Sequence, residues 1–218
     1  MTVMSQLKTL AYGQFSNYGL SVVPMFVLMG AIASRVGLSK ALFRGANAWL
    51  GWAPGGTAMA AIAGCAGFGA VSGSSLATAS TMGRIALPEL KRFNYSGALA
   101  TGSLAAGGVL GILIPPSVVL IIYSIIVEAN IVTMFMAAMI PGILAVIFFM
   151  ITILIYVLIK PDAGPKGGAA DRKEFIAATL GVFPVVLIFA IVLAVSIWAI
   201  TTRRRALRWV CLWSRSMG

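Results

Sequence analysis

The chain contains no histidine, only two cysteines and only five acidic residues in 218 positions. Without histidine, a zinc site built on imidazole, a Ser-His or Cys-His nucleophilic pair and a histidine-ligated haem are excluded. Two cysteines cannot form a disulfide scaffold, and the apolar sequence around Cys65 indicates that it fills space as a small hydrophobic residue. The sequence therefore predicts neither an enzyme nor a transition-metal protein.

Charge of either sign is scarce as well. Charged residues make up 10% of the chain and hydrophobic residues 60%. A soluble domain carries about 25% charged residues, so this chain has too few to cover a water-facing surface. The formal net charge of +11 does not indicate nucleic-acid binding. Its basic residues lie between apolar runs, where they set membrane orientation, or in the last positions of the chain. The composition predicts an all-α polytopic membrane protein.

Charged and helix-breaking residues divide the chain into segments, and a helix of about 20 apolar residues spans a bilayer. We predict spans at about 9–34, 131–159 and 175–200, an interfacial helix at 38–50, a re-entrant hairpin at 57–90, a broken span at 96–127 and a polar loop at 160–174. A cytoplasmic connecting helix is an equally good interpretation of residues 38–50.

The hairpin prediction depends on length. Residues 57–83 carry no charge, yet they are too few for two full spans and a turn. The polar cluster Ser72-Gly73-Ser74-Ser75 lies near the middle, so we expect it to be a hairpin tip at membrane depth. With this arrangement the basic residues of the loops fall on one face, which is a positive-inside pattern.

Two interruptions of the apolar sequence predict a ligand site. The second hairpin arm begins at Ser75, so its free N–H groups and positive dipole end suit an anionic group. Pro115 and Pro116 lack N–H groups, so carbonyls one turn earlier lose their partners. Such breaks persist in membranes only inside protein or around water, and they mark transporter binding sites. An alternative is that the tip hydroxyls only join helices.

The freed carbonyl oxygens and the tip hydroxyls suit a hard cation such as Na⁺. The apolar segments contain no carboxylate for a proton relay, which favours sodium as the coupling ion. No other cofactor is expected. The predicted sodium-binding residues are Ser74, Gly107, Gly108, Gly111 and Ile112.

Two stretches carry a family resemblance. Residues 69–90, GAVSGSSLATASTMGRIALPEL, and residues 104–125, LAAGGVLGILIPPSVVLIIYSI, resemble the large membrane subunit, DctM type, of the tripartite ATP-independent periplasmic (TRAP) transporters. The resemblance runs from about Val23 to about Ile197. It implies one repeat of an inverted-repeat, elevator-type transporter in the bacterial inner membrane.

The resemblance also implies a function. It implies sodium-driven import of organic anions such as dicarboxylates or sialic acid, with a periplasmic substrate-binding protein and a small membrane subunit as partners. The substrate-binding residues expected on this basis are Ser72, Gly73, Ser74, Ser75, Pro115, Pro116 and Ser117. Two alternatives stay open: a secondary anion transporter that needs no binding protein, and a membrane remnant that does not transport.

The length and the tail depart from the family pattern. Family members are about twice as long and contain two such repeats, so we expect this chain to represent roughly the first repeat. Five of the sixteen basic residues crowd into the tail at 201–218. One set of codons for residues 201–209, read in a shifted frame, encodes a family-like Pro-Thr-Glu-Gly-Ala-Ala-Leu. We therefore expect a frameshifted tail; the alternative is a basic segment attracted to anionic lipid.

Overall fold

The computed structural model describes residues 22–165, 175 and 178–181. All regular structure in this part of the chain is helical, which confirms the predicted helical class. The predictions for residues 9–21, for most of the loop and span at 160–200, and for the tail at 201–218 lie outside the described residues.

Seven α-helices follow one another over residues 22–165. They are α1 (Val22–Arg35), α2 (Leu38–Leu50), α3 (Gly56–Ser72), α4 (Ser75–Arg92), α5 (Gly97–Leu113), α6 (Val118–Ile126) and α7 (Ile131–Ile159), followed by a 3₁₀ turn, Pro161–Ala163. By length and composition, α7 is the one described helix that could cross a membrane alone. Helices α5 and α6 reach span length only together, and a bend of 45° separates them.

The helix starts follow from local capping chemistry. The Ser96 hydroxyl accepts a hydrogen bond from the N–H of Leu99 at the start of α5. The Asn130 side chain accepts from the N–H groups of Val132 and Thr133 at the start of α7. These side chains satisfy N–H groups that have no partner within their own helix.

Helices α3, α4 and α5 form the core of the described part. Helices α3 and α4 are the two arms of a hairpin, and α5 packs against both arms. The contact is close because glycines face small partners. A Cβ atom added at Gly69 would lie 2.7 Å from the Gly111 Cα atom, and one added at Gly107 would lie 2.8 Å from Cys65 Sγ. These contacts fix the hairpin tip beside the end of α5.

Helix α2 packs against the first hairpin arm. Phe43 packs at Gly64 and Leu42 packs at Gly67, so the middle of α2 lies against the middle of α3. The outward side of α2 carries the exposed residues Lys40 and Arg44. The amphipathic pattern at 38–50 thus has a protein partner on its apolar side; its placement in the membrane interface stays a prediction.

Candidate functional site

The hairpin tip is a two-residue turn between α3 and α4. Gly73 ends α3 in the left-handed region, with φ 61° and ψ 14°, and its N–H donates to the Gly69 carbonyl. Glycine adopts this backbone conformation without steric penalty. Ser74 then returns to an extended conformation and caps α4 by accepting a hydrogen bond from the N–H of Ala77 at 3.4 Å.

Three polar groups of the tip satisfy one another. The Thr78 hydroxyl lies 2.7 Å from the Ser74 carbonyl oxygen and 2.9 Å from the Ser72 Oγ atom. The Ser74 N–H donates to Ser72 Oγ at 3.5 Å. Ser72 and Thr78 are buried, whereas Ser74 and Ser75 are half-buried. The hydroxyl of Ser72 is therefore already engaged within the protein.

The start of α4 leaves backbone donors without partners. The N–H groups of Ala77 and Thr78 bond to Ser74, but those of Ser75 and Leu76 donate to no described residue. Leu76 is exposed. Helix α4 has 18 residues, so its positive dipole end adds to these free donors. The tip can therefore attract an anionic group.

The broken span meets the hairpin at this tip. Helix α5 ends at Leu113, the Pro115–Pro116 peptide is cis, and α6 begins at Val118. The Val118 N–H donates to the Gly73 carbonyl at 3.2 Å. A Cβ atom added at Gly73 would lie 3.1 Å from the Pro116 carbonyl oxygen. The N-termini of α4 and α6 are thereby held side by side.

Ser117 occupies the N-cap position of α6 in an unusual way. Its side chain makes no capping hydrogen bond. The residue is fully buried, and its Oγ atom has no hydrogen-bond partner among the described residues. A buried hydroxyl without a partner is unfavourable by about 1–3 kcal/mol, so it is suited to a group that enters the site.

The end of α5 supplies acceptors. The carbonyls of Gly111 and Ile112 would ordinarily accept from residues four positions later, which are Pro115 and Pro116 and have no N–H. No described residue donates a hydrogen bond to either carbonyl. The tip thus combines backbone donors from α4 with backbone acceptors from α5.

The structure brings together most of the predicted site residues, but not all of them. Residues 72–75, Gly111 and residues 115–117 meet at the junction. Gly107 and Gly108 lie inside α5, where Gly107 faces Cys65 and Gly108 faces Ala79 and the Ser75 carbonyl oxygen. Their carbonyls belong to the regular helix, so the freed oxygens are those of Gly111 and Ile112.

Thr78 contributes to the junction a side chain that the predicted site omitted, as it also omitted the backbone N–H groups of Leu76 and Val118. It is fully buried and touches both the Ser74 carbonyl and the Ser72 hydroxyl. Its place four residues after Ser74 is a usable signal. A threonine at that spacing in a helix reaches the carbonyl four residues earlier.

In the described part of the chain all regular structure is helical, and by length and composition α7 alone and the bent pair α5 and α6 together could each cross a membrane. This is consistent with a helical membrane protein. The sequence pattern of the family described as "Tripartite ATP-independent periplasmic transporter, DctM component" matches residues 2–210. The chain belongs to this family.

Curated relatives agree with the assignment. The chain is 35% identical over 192 residues to the C4-dicarboxylate TRAP transporter large permease protein DctM of Vibrio cholerae, covering 86% of this chain and 42% of the relative. It is 33% identical over 172 residues to the ectoine TRAP transporter large permease protein TeaC of Halomonas elongata, covering 78% and 40%. It is 32% identical over 162 residues to the sialic acid TRAP transporter large permease protein SiaM of Vibrio cholerae, covering 74% and 38%. The chain thus spans about two fifths of the length of these relatives.

Proposed function

We propose that the chain is the membrane permease component of a sodium-coupled importer that receives organic anions from a periplasmic substrate-binding protein. A small membrane subunit completes the transporter, and the chain lies in the bacterial inner membrane with several spans. Within this proposal, helices α3 to α6 form one repeat of an inverted-repeat elevator-type carrier. The substrates named for the three relatives are C4-dicarboxylates, ectoine and sialic acid, all of which carry a carboxylate.

The observation that carries the proposal is the pairing of two helix N-termini with a buried hydroxyl that has no partner. The free N–H groups of Ser75 and Leu76 and the Ser117 hydroxyl are hydrogen-bond donors at one junction. A carboxylate accepts hydrogen bonds from such donors and is favoured at the positive ends of helix dipoles. The substrate carboxylate therefore binds between α4 and α6, with Ser74 Oγ beside it.

Sodium binds at the acceptor side of the same junction. The freed carbonyl oxygens of Gly111 and Ile112, with the hydroxyl of Ser74, are the neutral oxygen ligands that hard cations take. A cation beside the substrate carboxylate lowers the electrostatic free energy of both ligands. The two ligands therefore bind more tightly together than apart, which couples anion entry to sodium entry.

The test is uptake into proteoliposomes that contain the chain with its small subunit and its binding protein. A panel of labelled carboxylic acids is offered with a sodium gradient and with a matched choline gradient. We expect uptake of at least one acid that requires sodium. Uptake without the binding protein would overturn the binding-protein requirement, and equal uptake in choline would overturn sodium coupling.

The role of Ser117 is tested on the same system. Replacing Ser117 by Ala removes one hydrogen bond to a charged group, worth about 1.5 kcal/mol, so the substrate KM should rise roughly tenfold. Ser124→Ala is the matched control, because the buried Ser124 hydroxyl bonds to the Leu120 carbonyl of its own helix at 2.6 Å. Equal KM values for the two variants would exclude Ser117 from the substrate site.

A further inference from the structure

We infer that Thr78 is a positioning residue that couples sodium binding to anion binding at the hairpin tip. The inference rests on the proposed function, because it assigns the coupling between the two ligands to a particular side chain. Thr78 itself binds neither ligand. It lies between the residues that supply the anion donors and the helix end that supplies the sodium acceptors.

The hydrogen bonds at the tip form a closed ring. Thr78 has one hydroxyl proton, and the shorter contact, 2.7 Å to the Ser74 carbonyl, assigns the proton to that bond. By the same criterion the Ser72 hydroxyl donates to Thr78 Oγ1 at 2.9 Å rather than to the Ser74 carbonyl oxygen at 3.4 Å, and the Ser74 N–H donates to Ser72 Oγ. The ring begins and ends at Ser74. In such a chain each hydrogen bond polarises the next, so the ring fixes the backbone of Ser74 on both sides.

The ring lies directly before the backbone donors proposed to bind the anion. Ser74 is the N-cap of α4, and the free N–H groups of Ser75 and Leu76 follow it directly. The orientation of a peptide group depends on the dihedral angles of the residue before it. A fixed Ser74 therefore fixes the direction of the two anion donors.

The same ring also contacts α5. A Cβ atom added at Gly111 would lie 2.7 Å from Thr78 Oγ1 and 2.8 Å from the Ser74 carbonyl oxygen. Gly111 is also the residue whose carbonyl loses its partner to Pro115. The Thr78 hydroxyl thus contacts Ser74, which precedes the backbone donors for the anion. It also contacts Gly111, whose carbonyl oxygen is a proposed sodium ligand. A movement of either helix end changes the geometry of the other.

This geometry separates the hydroxyls of the tip by role. Ser72 and Thr78 are buried and use their hydroxyls on each other and on Ser74. Ser74 and Ser75 are half-buried at the free end of α4, where a ligand can reach them. A purely structural threonine would affect only the amount of folded protein. A positioning threonine also affects how one ligand responds to the other.

The experiment measures ligand-induced thermal stabilisation of the purified complex, with sodium chloride against choline chloride and with succinate as the anion probe. Wild type should bind succinate more tightly as sodium rises. Thr78→Val keeps the shape of the side chain but removes the hydroxyl. For this variant we expect the sodium concentration that gives half-maximal thermal stabilisation to rise roughly tenfold. The succinate concentration that gives half-maximal stabilisation (the succinate midpoint) should then no longer depend on the sodium concentration. Thr78→Ser retains the hydroxyl and should stay within about twofold of wild type.

If Thr78→Val does not fold, a substitution in α5 tests the same role of Thr78. Gly111→Ala retains the Thr78 hydroxyl group but displaces it, because the added Cβ atom would lie 2.7 Å from Thr78 Oγ1. This variant should show the same loss of coupling. Gly102→Ala is the matched control, because a Cβ atom there meets nothing within 4 Å. The role of Thr78 would be overturned if wild type responds to sodium and the succinate midpoint of Thr78→Val still depends on sodium. A wild type without any sodium response would overturn sodium coupling itself, and the role of Thr78 with it.

Discussion

Helices α5 and α7 are both strongly apolar, yet they make contacts of opposite kinds. The side of α5 that packs on the hairpin carries glycines, and all three at positions 107, 108 and 111 are buried. Most of α7 is uncovered within the described part. Its exposed aliphatic and aromatic side chains include Ile140, Ile143, Leu144, Ile147, Phe148, Ile151 and Ile155.

The comparison shows that residue size, rather than hydrophobicity, separates the two surfaces. Lipid tails are as apolar as leucine side chains, so helices in a membrane gain little hydrophobic free energy from packing together. Small residues allow backbones to approach and gain van der Waals contact. Large aliphatic residues lose nothing when they face lipid. The glycine-rich side of α5 is therefore a protein contact, while the aliphatic side of α7 is compatible with lipid.

The largest effect is expected for Gly69→Ala. The added Cβ atom would lie 2.7 Å from the Gly111 Cα atom and 3.0 Å from its N atom, and neither backbone atom can move alone. We expect the free energy of unfolding to fall by about 3 kcal/mol. The measurement is denaturant-induced unfolding of the purified chain in detergent micelles. Gly83→Ala has open space around its Cβ atom and serves as the control. A Gly69→Ala variant as stable as Gly83→Ala would contradict the close contact between α3 and α5.

A smaller effect separates two isoleucines of α7. Ile153 is 6% exposed and lies against Gly55, whereas Ile151 is 43% exposed. Ile153→Ala leaves a cavity and should lower the free energy of unfolding by about 2 kcal/mol. Ile151→Ala should lower it by less than about 0.5 kcal/mol, because lipid or detergent fills the space. Equal losses in the same unfolding assay would mean that the exposed side of α7 has a protein partner.

Local chemistry in the sequence was sufficient to predict where the helices break. Gly73 ends α3 because a left-handed residue is needed there, and Pro115 and Pro116 stop α5 because they lack N–H groups. These are properties of single residues and their immediate neighbours. The helical class and the polar tip could be predicted for the same reason.

The contacts between distant residues could not be predicted in this way. The amphipathic pattern of Leu38–Leu50 gives α2 an apolar side, but a membrane surface and a hairpin arm satisfy that side equally well. Nor does the sequence show which serine hydroxyls of the tip are engaged. Ser72 and Ser75 look alike in the sequence, and only the position of Thr78 shows that Ser72 is bonded inside the protein. Such pairings depend on tertiary packing.

The smallest change in the free energy of unfolding is expected for a single hydrogen bond. At the base of the hairpin, the buried Tyr95 hydroxyl accepts a hydrogen bond from the N–H of Thr57 at 3.2 Å. Tyr95→Phe removes this acceptor and leaves the N–H without a partner, so the free energy of unfolding should fall by about 1 kcal/mol. Tyr123→Phe is the control, since Tyr123 is 53% exposed. The two variants are compared by denaturant unfolding in micelles. If Tyr95→Phe is as stable as Tyr123→Phe, the hydrogen bond between Thr57 and Tyr95 adds no stability, and packing alone holds the base of the hairpin.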